Sequence, residues 1–304
     1  MFRIPTVTKN LLIINILAFL TMMVLKSVTG IDLNDLCGLH FFMASDFQVY
    51  QLVTYLFMHR GLEHIILNML MLWMFGAVVE QVWGTKKFLF YYMFCGIGAG
   101  IMQEITQFFY VYFMLNDQHP LGIIESFSVM HQFASQLNGL TTVGASGAIY
   151  GLLLAFGMMF PDEKMFIIPI PIPIKAKWMV IGSIVVELFS SLSMLGSDVA
   201  HLAHLGGMIF GFFLIRYWQK HPGRSYVPGS TQFFTNMRNK WAARTHGGSS
   251  RSSSKKSENP DWEYNARRKA TQEEVDRILD KIRKNGYDSL TKEEKQTLFD
   301  QSKK

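Results

Sequence analysis

Apolar runs of membrane-spanning length are the feature that most constrains how this chain can fold. A helix that rises about 1.5 Å per residue needs roughly 20 residues to cross about 30 Å of hydrocarbon. Up to about Tyr217 the chain consists of such runs with few charges, and beyond it the chain is polar and basic. We predict an all-α membrane protein with spans at Leu11–Leu25, Leu62–Val82, Phe88–Met102, Val143–Phe160, Trp178–Leu195 and Val199–Trp218.

The positions of Lys and Arg predict the orientation of these spans, because loops rich in positive charge stay in the cytoplasm. No Lys or Arg lies between Lys87 and Lys164 or between Lys177 and Arg216. With six spans and both termini in the cytoplasm, only Lys26 and Arg60 fall outside. We therefore expect an integral membrane protein, in the bacterial inner membrane, with cytoplasmic N- and C-termini.

The chain after the last span predicts a cytoplasmic tail in two parts. We expect a membrane domain over 1–218, a disordered basic linker over 219–270 and a small helical hairpin over 271–304. The linker is poor in apolar residues, whereas Thr271 with Glu274 and Thr291 with Glu294 have capping-box spacing. The core of such a hairpin is small and its helices are acidic, so we do not expect it to bind nucleic acid. We expect it to dock a protein partner or a second protomer.

Two intermediate segments have less regular patterns. The spacer over 103–140 mixes aromatic, apolar and polar residues, which predicts either interfacial elements over the outer surface or an extension of the third span. The proline-rich stretch Ile168–Lys175 cannot continue a helix, so we predict an inner connection between the fourth and fifth spans. Cys37 and Cys95 have no metal spacing and no disulfide framework, and are interpreted as small apolar fillers.

Polar residues within the spans are the candidate functional groups, because a polar group in a bilayer is costly unless it is satisfied or used. His64 and Asn68 are four residues apart on one face of the second span. Ser146 opens the fourth span, and His204 lies near the start of the sixth. All three spans run inward in the predicted topology, so these residues share one depth in the outer part of the bilayer.

Glycine spacing predicts that the fourth and sixth spans touch. Small residues four apart let two helix backbones approach closely. The glycines with this spacing are Gly144, Gly147 and Gly151 in the fourth span, and Gly207 and Gly211 in the sixth. If these two faces meet, the Ser146 hydroxyl reaches the His204 imidazole, and Tyr150 lies against the imidazole one turn below.

These groups predict nucleophilic catalysis, although a lone serine in an apolar run is more often a packing residue. Ser146 at a helix N-terminus has free backbone N–H groups beside it, and Asn68 and His64 add side-chain donors for an oxyanion. We expect no acidic residue at this depth, hence a Ser–His dyad. Glu187 is interpreted as a hydrogen-bonded structural acid, and His59 and His201 as polar neighbours at the mouth of the site.

The motifs resemble those of the rhomboid family of intramembrane serine proteases over most of Met1–Trp218. The matching residues are Gly144-Ala145-Ser146-Gly147 for G-x-S-G, His64 and Asn68 for H-x-x-x-N, Ala203, His204, Gly207 and Gly211 for A-H-x-x-G-x-x-x-G, then Tyr150, Glu80 and Gly84. The resemblance implies a six-helix bundle that cleaves transmembrane protein substrates in or beside their membrane segment, without cofactor or metal. One departure is Tyr50-Gln51, where many members carry a Trp-Arg pair that braces the first outer loop.

Two rival functions remain open at this point. The first is a catalytically silent rhomboid-like protein that binds membrane helices, although such members usually lack the nucleophile or the base. The second is a transporter or metal-binding membrane protein that uses His64, His201 and His204, which leaves Ser146 and its glycines unexplained.

Overall fold

Helices dominate this protein in the computed structural model, which describes residues 4–117, 120–167, 170–193, 201–221 and 291. The predicted linker over 219–270 and hairpin over 271–304 lie outside the described residues, except for 219–221 and 291. The α-helices are α1 (Thr6–Thr29), α2 (Leu33–Cys37), α3 (Gln51–Thr54), α4 (Leu62–Met71), α5 (Ala77–Trp83), α6 (Thr85–Asn116), α7 (Ile123–Gln132), α8 (Ser146–Met159), α9 (Ala176–Ser193) and α10 (His201–Lys220).

Each predicted span corresponds to one long helix or helix pair. A π-helical turn over Leu72–Gly76 joins α4 to α5, so Leu62–Trp83 forms one continuous helix. Among the described residues, Thr6–Thr29, Leu62–Trp83 and Thr85–Asn116 are long and apolar enough to cross a membrane, and Ser146–Met159 is a shorter apolar helix. The mostly helical fold and the membrane location are confirmed, while the count of six crossings stays a prediction.

The N-terminus of α1 is held by an acid from the neighbouring helix. Glu80, buried in α5, accepts hydrogen bonds from the backbone N–H groups of Val7 at 2.9 Å and Thr8 at 2.7 Å, and from the Thr8 hydroxyl at 2.8 Å. These N–H groups belong to the first turn of a helix, which has no intrahelical acceptors for them. At the other end, α1 stops at Gly30, whose φ of 75° is left-handed.

The spacer after the third span splits into both predicted alternatives. Residues 103–116 of the spacer extend α6 to 32 residues, because they contain neither proline nor glycine. Its second half forms α7, an amphipathic helix that exposes Ile123 and Ile124. Below α7 lies a small separate core made of Phe41, Ala44, Val111, Met130 and Leu137.

Two pairs of short antiparallel strands complete the fold. Strand β1 (Leu39–His40) pairs with β2 (Thr141–Thr142), which is distant in the chain, in register Leu39 with Thr142. Strands β3 (Lys164–Ile167) and β4 (Ile170–Lys175) form a hairpin, whose second strand lies in the proline-rich stretch. That stretch is not helical, as predicted. Its strand pairing was not foreseen, yet a two-stranded ladder has only edge strands, which tolerate proline.

The core surrounds α8. All its residues from Gly147 to Gly157 are buried except Tyr150, and α6 and α10 are the helices that pack most closely against it. Because α8 begins at Ser146, the candidate nucleophile lies at the end of the most deeply enclosed helix.

Candidate active site

The strand-to-helix turn before α8 presents the Ser146 hydroxyl. The chain leaves β2, and the Gly144 N–H donates to the Tyr55 carbonyl at 2.9 Å. Gly144 has a φ of 130°, which L-residues with side chains rarely adopt. A β-carbon there would also lie 2.8 Å from Cε1 of His64. This position therefore requires glycine on two grounds, and the turn brings the His64 ring beside the nucleophile.

Ser146 and His204 lie within hydrogen-bond distance across two helices. Oγ of Ser146 is 2.8 Å from Nε2 of His204. The close approach depends on Gly207, one turn after His204, because a β-carbon there would collide with the backbone carbonyl of Gly147. The structure thus brings together the hydroxyl and the imidazole that the sequence predicted to meet.

The second glycine of α10 has a different neighbour from the one expected. Gly211 faces α6, where a β-carbon would meet the Tyr91 hydroxyl and lie 3.1 Å from Sγ of Cys95. The Tyr91 hydroxyl also donates to the carbonyl of Gly151 at 2.8 Å. The expectation that both α10 glycines face α8 is therefore wrong for Gly211. Sequence reasoning missed Tyr91, although its spacing of four from buried Cys95 indicates a shared helix face.

Tyr150 lies flat against the imidazole, as its position one turn below Ser146 predicted. The ring centroids of Tyr150 and His204 are 4.4 Å apart and the planes are inclined by only 4°. The Tyr150 hydroxyl donates a short hydrogen bond to the carboxylate of Glu187. Because the Tyr150 ring is stacked on the imidazole and its hydroxyl is held by Glu187, it restricts how the imidazole can rotate.

Glu187 of α9 reaches the far side of His204. Its Oε1 lies 3.0 Å from Nδ1 of His204, and its Oε2 lies 2.7 Å from Nδ1 of His201. The expectation that no acidic residue lies at this depth is wrong. The signal was present, because Glu187 is the twelfth residue of the 18-residue helix α9, only about 9 Å of helical rise from the C-terminal end of that helix.

The groups predicted to stabilise an oxyanion differ in how many of their N–H donors are already used in hydrogen bonds. Asn68 is buried, and its amide Nδ2 donates to the His64 carbonyl in its own helix at 2.8 Å, which leaves one amide hydrogen. The His64 ring lies beside Gly144 and accepts a long contact of 3.5 Å from the Arg60 N–H at Nδ1. No side chain caps the N-terminus of α8 at Ala145, so the first N–H groups of that helix, which begins at Ser146, have no acceptor from the N-cap side chain.

His59 lies behind the site rather than at its mouth. It is fully buried, and its ring centroid is 5.1 Å from that of His64. Burial, together with nearby His64, lowers the pKa of His59 to about 4. His59 is therefore neutral at physiological pH, and its full burial corrects the expectation of a polar neighbour at the mouth of the site.

One group of side chains has the composition of a metal site. The ligand atoms of Glu187, His201 and His204 lie within 4.8 Å of one another. Two imidazoles and a carboxylate suit zinc. The rival metal-binding hypothesis named His64, His201 and His204, whereas the group that the structure brings together contains Glu187 and not His64. The Nε2 atom of His204 meanwhile contacts Ser146.

The segment 36–48 is braced by Gln51, at a position where the family pattern suggests an arginine. Its Oε1 accepts the N–H groups of His40 at 3.3 Å and Gln48 at 3.1 Å. Its Nε2 donates to the carbonyls of Asp46 at 3.0 Å and Leu36 at 3.4 Å. The adjacent Tyr50 hydroxyl donates to the same Leu36 carbonyl. A neutral amide therefore ties together the segment 36–48.

Comparison with known families matches two parts of the chain. Residues 46–220, more than half of the chain, match the family described as Rhomboid domain. Residues 259–304 match a family described as "Family of unknown function (DUF6576)". The first match contains every candidate site residue named above.

Several curated proteins are similar over about half of this chain. Rhomboid protease GluP of Bacillus subtilis is 28% identical over 54% of this chain and 25% of its own length. Rhomboid protein 1, mitochondrial, of Saccharomyces cerevisiae is 26% identical over 51% of this chain and 38% of its own length. Rhomboid-like protease 3 of Toxoplasma gondii is 26% identical over 58% of this chain and 54% of its own length. The chain thus spans between a quarter and about half of the length of these relatives.

Proposed function

Because this chain belongs to the rhomboid family, we propose that it is an intramembrane serine endopeptidase. Its substrates are membrane proteins, which it cleaves in or next to a transmembrane segment. The observation that carries the proposal is the 2.8 Å contact between Ser146 Oγ and His204 Nε2 in an apolar helical bundle. A buried packing serine has no need of an imidazole from another helix.

The geometry supports acyl transfer by these two residues. His204 Nε2 takes the proton from the Ser146 hydroxyl while Oγ attacks the scissile carbonyl, and the imidazolium then donates that proton to the leaving amine. Water subsequently hydrolyses the acyl-enzyme with His204 again as the base. The oxyanion lies near the free N–H groups at the start of α8 and the side chains of His64 and Asn68. Each such donor contributes roughly 3–4 kcal/mol to lowering the barrier.

The site lies in the outer part of the membrane in this proposal. The clusters of Lys and Arg face the cytoplasm, both termini are cytoplasmic, and the membrane is the bacterial inner membrane. Transmembrane substrates then reach the site laterally from the bilayer, and the tail is free to bind a protein partner inside the cell.

Cleavage of a single-span test substrate by the purified protein tests the function. We expect Ser146→Ala and His204→Ala to abolish cleavage, because each removes a group that forms or breaks a bond. The matched control is Ser183→Ala in α9, whose hydroxyl bonds its own helix and whose loss leaves activity near wild type. Equal cleavage by the wild type and both site variants contradicts the proposal.

An active-site probe separates a protease from a silent membrane-helix binder. A fluorophosphonate labels a serine only when the serine is activated. We expect labelling of folded wild-type protein at Ser146, and loss of labelling in His204→Ala. Absence of labelling in folded wild type favours the binder. Activity that disappears on chelation and returns with zinc favours the metal site of Glu187, His201 and His204.

A further inference from the structure

The carboxylate of Glu187 contacts three side chains around the catalytic base, and the proposed dyad uses none of these contacts. Oε2 is 2.7 Å from Nδ1 of His201, and Oε1 accepts from the Tyr150 hydroxyl. The same Oε1 is 3.0 Å from Nδ1 of His204. The Glu187 side chain is only 6% exposed. A carboxylate buried this deeply in an apolar helix is costly unless it has partners or a task.

We propose that Glu187 is a positioning residue, which fixes the tautomer and orientation of His204 and balances the charge that His204 gains during catalysis. The inference rests on the proposed function and deepens it. It extends the Ser146–His204 pair to a series of neighbouring groups, the hydroxyl on α8, the imidazole on α10 and the carboxylate on α9.

The physical reason starts from the two imidazole nitrogens. A neutral imidazole has one N–H, and the partner of that N–H determines which nitrogen carries it. An acceptor at 3.0 Å from Nδ1 favours the proton there, which leaves the lone pair on Nε2 free to accept the Ser146 proton. When His204 takes that proton it becomes a cation beside a carboxylate, in surroundings where charges interact more strongly than in water.

Two neighbours hold the carboxylate where His204 needs it. His201 is one turn before His204 on α10 and binds Oε2, while Tyr150 comes from α8 and binds Oε1. The carboxylate is therefore fixed from both of the helices that carry the reacting groups. The Nδ1–H bond of His204 is not yet directed straight at Oε1. Such contacts often align only when substrate is bound.

A purely structural role for Glu187 is the rival explanation, in which it merely anchors Tyr150 against the imidazole. The two roles predict different variants to be damaged. If Glu187 acts only through Tyr150, then Tyr150→Phe, which keeps the stacked ring and removes the hydroxyl, is as impaired as Glu187→Gln. If Glu187 acts on His204, Glu187→Gln is impaired far more.

The experiment measures kcat and KM of full-length protein on a single-span substrate, together with the thermal unfolding midpoint. The variants are Glu187→Gln, Glu187→Asp and Tyr150→Phe. The matched control is Glu63→Gln, the same substitution at an exposed acid in the first turn of α4. For Glu187→Gln we expect kcat to fall about 100-fold, less than the ~10⁴-fold loss seen for the acid of soluble triads, with KM nearly unchanged.

The other variants complete the expected pattern. Glu187→Asp retains the charge on a shorter arm, so we expect about a 10-fold loss of kcat. Tyr150→Phe is expected to lose less than Glu187→Asp, and Glu63→Gln to match wild type. If Glu187→Gln does not fold, the comparison is made between the folded variants Glu187→Asp and Tyr150→Phe. A lower kcat for Glu187→Asp than for Tyr150→Phe supports the proposal, and a higher kcat overturns it.

Failure of this inference differs from failure of the proposed function. If wild type cleaves and Ser146→Ala does not, but Glu187→Gln retains wild-type kcat or loses no more than Tyr150→Phe, only the role of Glu187 is overturned. If wild type neither cleaves substrate nor reacts with a fluorophosphonate, the proposed function and this inference are both overturned.

Discussion

A single amide, that of Gln51, determines how the segment 36–48 is held. The side chain is only 1% exposed and bonds four backbone groups of this segment. Because an amide has both donors and acceptors, it satisfies N–H and C=O groups alike, whereas a guanidinium only donates. At the residue scale, the departure from the family pattern is therefore a change of hydrogen-bond chemistry that retains the bracing.

We expect Gln51→Ala to destabilise the protein by about 3 kcal/mol, because it leaves several buried backbone groups without partners. The measurement is thermal or denaturant unfolding in detergent micelles. Gln48→Ala is the control, since the Gln48 side chain is exposed and contributes only its backbone N–H to this network. Identical unfolding of the Gln51→Ala and Gln48→Ala variants refutes the bracing role.

At the element scale, the close approach of α8 and α10 positions the site. Backbone atoms of Gly147 and Gly207 meet directly, while Cys95 of α6 fills the space beside Gly151. Three helices therefore share one contact region directly below Ser146 and His204. The distance between the hydroxyl and the imidazole depends on how tightly these backbones fit.

Substitution of one glycine on each of two helices tests this packing. Gly207→Ala places a methyl group against the Gly147 carbonyl, so we expect a loss of about 3 kcal/mol in stability and a large loss of activity from separation of α8 and α10. Gly182→Ala in α9 has open space around it. The better helix propensity of alanine should leave it unchanged or stabilise it by up to about 1 kcal/mol.

Unfolding midpoints and substrate cleavage of the two alanine variants provide the comparison. The interpretation fails if Gly207→Ala is as stable and as active as Gly182→Ala, because the two helices would then have room for a methyl group between them.

At the scale of the whole molecule, charge distribution determines the proposed orientation. The segments between the long helices that are expected outside carry few positive charges, and the hairpin of β3 and β4 carries Lys164 and Lys175 on paired positions. Asp162 is beside that hairpin, and the ammonium groups of Lys177 and Lys175 hold the pKa of its carboxyl below the usual range. The hairpin is thus expected to face the cytoplasm.

Chemical labelling of the two cysteines tests both the orientation of the protein in the membrane and the burial of each thiol. Cys37 is partly exposed at the end of α2, whereas Cys95 is buried in α6. A membrane-impermeant maleimide added to intact cells should modify Cys37 and leave Cys95 unmodified. Burial raises the pKa of the Cys37 thiol, so its thiolate fraction is small at neutral pH, and we expect the reaction to accelerate as the pH rises.

The Cys37→Ser variant is the control for this labelling and should remain unmodified at every pH. Labelling of Cys37 only after the cells are permeabilised reverses the proposed orientation.

The residues of the Ser–His pair could be predicted because several independent patterns agree on them. Span length, helical spacing and the glycine motifs each follow from the local geometry of a helix, which depends on nearby residues. Ser146, His204 and Tyr150 were found in this way. The contact of Glu187 with His204 and the packing of Gly211 against α6 could not be predicted in this way, because each joins residues of two different helices.

The sequence by itself determined which segments are helices, which of their faces can approach closely, and which side chains are available for chemistry, because these properties are periodic and local. Only the tertiary structure decided that α9 directs Glu187 toward His204, that α6 fills the space at Gly211, and that Gln51 joins four backbone groups. Each of these contacts depends on the rotation of one helix or loop relative to another. That rotation is set by the packing of many side chains together, so no regular spacing of residues in the sequence indicates it.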